Sequence, residues 1–238
     1  MESHYDIKAW AEETKLGQRI FNYNFRIQGH ELKGWQLLKA VPMHKDARLA
    51  EVTYLVQSEE AADRQMVRMN IAELADWRAA QKHLLAILDH SMRPDLPRGT
   101  GKLGALGDIS LVARAPQSDI PAAVQFARGN IAVAVNSVGT VTIDVSEIAA
   151  TVDHLLTEPP AKLPSIRKLS KPRPPKAVLL KGKEGATLVK DLKKVRDAWL
   201  KVIVPDGELR RKGDALVYIS RQPGKKVVRI YAINVRTG

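Results

Sequence analysis

The chain has 238 residues, of which 45% are apolar and 27% charged, with a formal net charge of +12 and no cysteine. Its length exceeds an ordinary single domain, its composition excludes global disorder, and the missing cysteine excludes disulfides and thiolate chemistry. No apolar run approaches the roughly 18 residues of a membrane span, and the opening MESHYDIKAWAEE is acidic where a signal peptide is basic and then apolar. The expected location is therefore cytoplasmic for the sequence as given, or periplasmic or secreted if it is a mature fragment.

Asp6 to Gly17 reads as a short helix, with Ile7, Trp10 and Ala11 on one face. Ile20 to Ile27 alternates as a strand, placing Phe21, Tyr23 and Phe25 together on one face, either as core aromatics or to stack nucleobases or sugars. Trp35 to Val41, ended by Pro42, and Ala50 to Gln57 continue it as an antiparallel meander, and Ser58-Glu59-Glu60 begins a short helix toward Met66. The strongest predicted helix is Asn70 to His90, with Asn70 as cap, Glu73 three residues later, and Ile71, Leu74, Trp77, Leu84, Leu85 and Leu88 spaced for one face. His83 and His90 lie about 10.5 Å apart along such a helix and cannot share an ion, so no metal site is predicted.

Arg93 to Gly107 is rich in glycine, and Arg98, Gly99, Gly101, Lys102 and Asp108 define a possible ligand loop. Glycines permit close backbone approach and the two cations suit a phosphate or carboxylate. The segment lacks the GxxxxGK[ST] pattern, however, and follows a helix where phosphate loops precede one. A strand at Ile109 to Ala113 turns at Pro116 to Asp119 into a hairpin, Ala122 to Ala127 and Ile131 to Asn136, closed by Gly129-Asn130. Ile131, Val133 and Val135 alternate with Ala132 and Ala134, the pattern of a central strand covered on both faces. Val141 to Ile143 is extended, and Asp144 with Glu147 starts a helix whose stripe is Val145, Ile148, Ala149, Val152, Leu155 and Leu156. His154 lies outside that stripe.

Charge then divides the chain. Residues 1–160 hold 17 Lys/Arg against 20 Asp/Glu, net −3, and residues 161–238 hold 21 against 6, net +15. Thr157 to Lys176 is a proline-rich basic linker containing KPRPPK. Beyond it, Ala177 to Leu180 is a strand. Thr187 caps a helix that buries Leu188, Leu192, Val195 and Trp199 and leaves Lys190, Lys193, Lys194 and Lys201 outside. Val202 to Val204 is another strand, and Ala215 to Ser220 pairs with Val227 to Asn234 across Gln222-Pro223-Gly224-Lys225.

The sequence thus predicts an α+β protein of two domains. An N-terminal, mostly antiparallel sheet packed by two helices spans 1–156, the linker 157–176, and a smaller basic α+β domain ending in a β-hairpin 177–238. GxSxG, zinc-ligand spacings and a complete P-loop do not occur; Gly99-Thr100-Gly101-Lys102-Leu103-Gly104 spells GxGxxG but follows a helix and precedes a strand, the reverse of the strand-to-helix order of a Rossmann turn, and no cofactor is predicted. The expected function is non-enzymatic binding of a polyanion, either nucleic acid or an anionic membrane surface. Its contacts are Lys190, Lys193, Lys194, Arg210, Arg211, Lys212, Arg221, Lys225, Lys226 and Arg229, with Tyr218 and Tyr231 either stacking or core. The alternatives are a small-molecule-binding or hydrolytic N-terminal domain using the glycine-rich loop, or an exported envelope module. Oligomeric state is left open.

Overall fold

A computed structural model of the protein describes residues 19–45, 49–90, 98–158, 176–180, 185–195, 198–222 and 224–234. Strand predominates over helix. Two compact units form: the described residues of Ile27–His154 make one, and those of Leu16–Arg26 and Leu155–Gly238 make the other. The predicted helix over 6–17 and most of the proline-rich linker lie outside the described residues.

The first strand, β1 (Arg19–Tyr23), belongs to the second unit. The first unit is built on β2 (Trp35–Lys45), β3 (Leu49–Ser58), β4 (Ala62–Leu74), β5 (Ile109–Arg114), β6 (Pro121–Arg128) and β7 (Ile131–Ser137). They form one antiparallel sheet in the order β2-β3-β4-β7-β6-β5. Interior β7 is buried along both faces, as its alternation requires. On the alanine side, Ala72, Ala127 and Ala132 cluster with Ala80, Leu84 and Leu85 of helix α1 (Trp77–His90), because small side chains let a helix approach closely. After the one-turn α2 (Gly101–Gly104) comes α3 (Ser146–Thr157), started by Asp144, which accepts the Ser146 N–H at 2.8 Å. Arg128 stands opposite Ile131 in the ladder, shares its face and bonds Asp153 of α3, so α3 lies on the valine side.

The structure departs from several of these expectations. Residues 70–74 are not helical: β4 runs to Leu74, Asn70 pairs with Thr53 and Ala134, and the cap of α1 is Asp76, which accepts the Ala79 N–H at 2.9 Å. Ile71 and Leu74 fit a helical stripe, but Val67, Met69 and Ile71 fit a strand equally, and two neighbouring strands decide the matter. Ser58 to Glu60 make the tight β3–β4 turn, with Ser58 Oγ accepting the Glu60 and Ala61 N–H groups at 3.2 Å. Strand β2 continues through Pro42, which an edge strand tolerates because no neighbour needs its N–H. Residues 141–143 lie outside any strand.

The second unit contains β8 (Lys176–Leu180), β9 (Ala186–Val189), a 3-10 turn at Leu192–Val195, β10 (Ala198–Val204), β11 (Glu208–Lys212), β12 (Ala215–Ile219) and β13 (Gly224–Asn234). Sheets β1-β10-β13-β8 and β11-β12-β9 share one core. Phe21, Leu200, Val202, Val204 and Val228 come from the first, and Leu209, Leu216 and Tyr218 from the second. The helix predicted from Thr187 is absent. Asp191 caps a single 3-10 turn, accepting the Lys193 N–H at 3.0 Å, and Ala198 onward is strand. The predicted terminal hairpin is also absent: β12 pairs with β11 and β9, while β13 pairs with β10 and β8. Tyr218 and Val228 enter one core from opposite sheets, so the chain at Ser220 to Gln222 crosses between sheets.

Strand β1, expected beside β2, pairs instead with β10 from Arg19↔Val204 to Tyr23↔Leu200. Phe21 is 1% exposed within the shared core. Phe21→Ala is expected to cost about 3 to 5 kcal/mol. Hydrogen exchange should show the loss in β10 and β13, with β7 unchanged; a loss confined to β7 would refute the assignment of β1.

Candidate polyanion surface and glycine-rich loop

In the loop, Arg98 forms an isolated bridge with Leu111, and the Gly99 N–H donates to Ser110 O at 3.0 Å. A Cβ on Gly99 would lie 2.5 Å from Ser110 Oγ, and one on Gly107, whose φ is +60°, would lie 2.6 Å from Ala127 O. The chain itself therefore fills the space these glycines leave. Gly101 and Lys102 are exposed in α2.

Asp108 is buried under the loop. Its Oδ2 accepts the Gly129 N–H at 2.9 Å, and its Oδ1 faces Arg128 Nη1 at 3.4 Å. Asp153 grips the same guanidinium with two bonds, Nε to Oδ1 at 2.8 Å and Nη2 to Oδ2 at 2.7 Å, while Ala105 O takes a further one at 3.3 Å. Burial works to lower the Arg128 pKa, but the bonds and charges of Asp153 and Asp108 outweigh it and raise it. This cluster ties β6 and α3 to the base of the loop, and removing one carboxylate would strand a buried charge.

The ten cations predicted to contact a polyanion fall into two groups. Lys193 and Arg211 pair with Asp214 at 2.8 and 3.8 Å, Arg210 with Glu208 at 2.9 Å, and Lys226 with Asp206 at 2.7 Å. Asp214 raises the Lys193 pKa. Arg211 also lies 5.5 Å from the Tyr23 ring. Lys190, Lys194, Lys212, Arg221, Lys225 and Arg229 are exposed, and among the described residues they form no ion pair.

Asp206 is a structural hub of the second unit. It accepts from Tyr218 Oη at 3.1 Å, Ser220 Oγ at 3.0 Å and Lys226 Nζ at 2.7 Å. Burial would raise its carboxyl, but these bonds hold it below the usual value. Tyr218 is core, and burial pushes its phenol up to about 12.

Lys201, expected outside, is 0% exposed. It shares a strand face with Trp199, its Nζ lies 4.9 Å from that ring, and it donates to Leu155 O at 2.5 Å and to Glu158 O. These carbonyls lie at the end of α3, where the helix has no partners of its own for them. Burial lowers the ammonium to about 8, with the Glu158 carboxylate pulling upward. Sequence did hold a signal for this: in AWLKVIV the lysine alternates with Trp199 and Ile203, so it belongs on their face.

An open groove of about 450 Å³ in the first unit is bordered by Glu31, Leu32, Trp35, Glu147, Ile148 and Thr151, and not by Arg98, Lys102 or Asp108. Elsewhere on this unit, Asn70 Nδ2 bridges Glu51 Oε1 at 3.3 Å and Thr53 Oγ1 at 2.9 Å. His83 is lowered by burial, with Glu51 opposing. Among the described residues no group of His, Asp and Glu is arranged to hold a metal, and no helix is long and apolar enough to cross a membrane.

No family model, curated protein or solved structure matches the chain.

Lys201 supplies a pH test. Its folded pKa of about 8 lies below the ordinary 10.5, so between these values the unfolded chain binds more protons and stability rises with pH. Relative to Lys201→Met, the native chain should gain up to about 3 kcal/mol between pH 8 and 10.5 in urea unfolding. Parallel stability curves would contradict the placement of this group.

Proposed function

We propose that the protein is a non-enzymatic binding protein whose basic second unit contacts a polyanion. The observation that carries this reading is the division among its cations. Several that the sequence counts as binding residues are held by carboxylates, while Lys190, Lys194, Lys212, Arg221, Lys225 and Arg229 point charge at solvent with no ion pair among the described residues. Exposed cations release counterions from a polyanion when they replace them, which makes affinity fall steeply with salt and tolerate sequence. The first unit serves as scaffold in this reading, since the close approaches its loop glycines permit are to its own chain.

A salt titration of the full chain against nucleic acid and anionic vesicles tests the proposal. The logarithm of affinity should fall linearly with the logarithm of salt. The Lys225→Gln/Arg229→Gln pair should flatten the slope by about 1.4 to 1.8, from roughly 0.7 to 0.9 per phosphate contact. Salt-independent binding, or a slope changed by Arg98→Gln/Lys102→Gln instead, would overturn it in favour of the loop.

A further inference from the structure

We propose that the polyanion is a single-stranded nucleic acid lying along the outward face of β13, an inference that rests on the binding role proposed above. In β13 the side chains alternate between faces. Lys226 and Val228 turn inward, the first to Asp206 and the second into the shared core. Lys225, Val227, Arg229 and Tyr231 therefore share the opposite face. Lys225 and Arg229 are exposed, Val227 is 52% exposed and Tyr231 is partly exposed.

That face is flanked by β10 on one side and by β8 on the other, where Lys225 stands opposite Leu179 and Val227 opposite Ala177. In the ladder Arg229 stands opposite Ile203 and Tyr231 opposite Lys201, and both residues of β10 are buried. Tyr231 is thus set beside a covered strand and keeps an accessible surface. Tyr218, the other aromatic candidate for stacking, is fully buried and cannot take part.

The stripe reads cation, apolar, cation, aromatic, with about 6.6 Å between successive side chains. A single strand presents phosphates and unpaired base faces side by side along its length. Lys225 and Arg229 meet phosphates, while Val227 and Tyr231 meet bases, every one of which has a face to stack. A duplex hides its base faces and leaves the apolar and aromatic positions without partners. A membrane surface would reward a larger apolar patch than this one; Val227 is the sole exposed large aliphatic residue among the described residues of this unit.

The test uses the full chain and fluorescence anisotropy with a labelled oligothymidine strand, a duplex of the same length, and phosphatidylserine vesicles at matched ionic strength. The strand should bind at least about 10-fold tighter than the duplex. Tyr231→Ala should weaken strand binding by about 5- to 100-fold with an unchanged salt slope, and Tyr231→Phe should restore it. Val227→Glu, at an exposed position that perturbs folding little, should weaken the strand more than the duplex. Equal affinity for strand and duplex with Tyr231→Ala inert would overturn this inference and leave the polyanion role standing, as would binding to vesicles alone. Binding to none of the three would overturn the polyanion role itself.

Discussion

Strand β10 cannot leave either edge open, and much of the second unit follows from that constraint. Its residues are buried on both faces: Leu200, Val202 and Val204 point into the core between the sheets, and Trp199, Lys201 and Ile203 point the other way. A strand so covered needs both rows of backbone groups satisfied, because an unpaired buried N–H or C=O costs about 1 to 3 kcal/mol. Strand β13 pairs one edge and β1 the other, so a segment near the start of the chain completes a unit made otherwise from its end. Phe25 supports the arrangement, meeting the Trp199 ring edge-on at 4.7 Å, and Asn22 accepts the Trp199 indole N–H at 2.9 Å.

Within this frame, positive charge does three different jobs. Arg128 is a buried tie between carboxylates, and Lys201 supplies donors to carbonyls at the end of α3. Lys226 anchors the crossing between the sheets through Asp206. Lys190, Lys194, Lys212, Arg221, Lys225 and Arg229 instead stand exposed without an ion pair among the described residues. Formal net charge adds buried, paired and exposed cations alike, so it overstates the charge that faces solvent unpaired. The same sorting applies to glycine, whose lack of a side chain at Gly99 and Gly107 admits the protein's own backbone and the Ser110 side chain.

How much of this the sequence disclosed depended on whether local and distant preferences agreed. The β6–β7 hairpin and the start of α3 were legible because alternation, turn residues and cap all pointed one way. The helix predicted from Asn70 formed only from Trp77, and that from Thr187 did not form, where a helical stripe coincided with a strand alternation; neighbouring strands, which no local pattern reveals, selected the strand. Pairing was legible least. Gln222-Pro223-Gly224 suits a turn, but Tyr218 and Val228 enter one core from two different sheets, and the partner of β1 lies far along the chain. At the candidate site Lys225 and Arg229 are exposed, but that Asp206 would take Lys226 and Asp214 would take Lys193 was not legible, because those partners meet only through the folded chain.

The division between structural and available cations is tested most directly by lysine acylation footprinting of the full chain with and without bound oligonucleotide. Lys225 should lose reactivity on binding, Lys102 should keep it, and Lys201 should stay unreactive throughout. Protection of Lys102 with Lys225 unaffected would contradict the account and place the ligand at the glycine-rich loop.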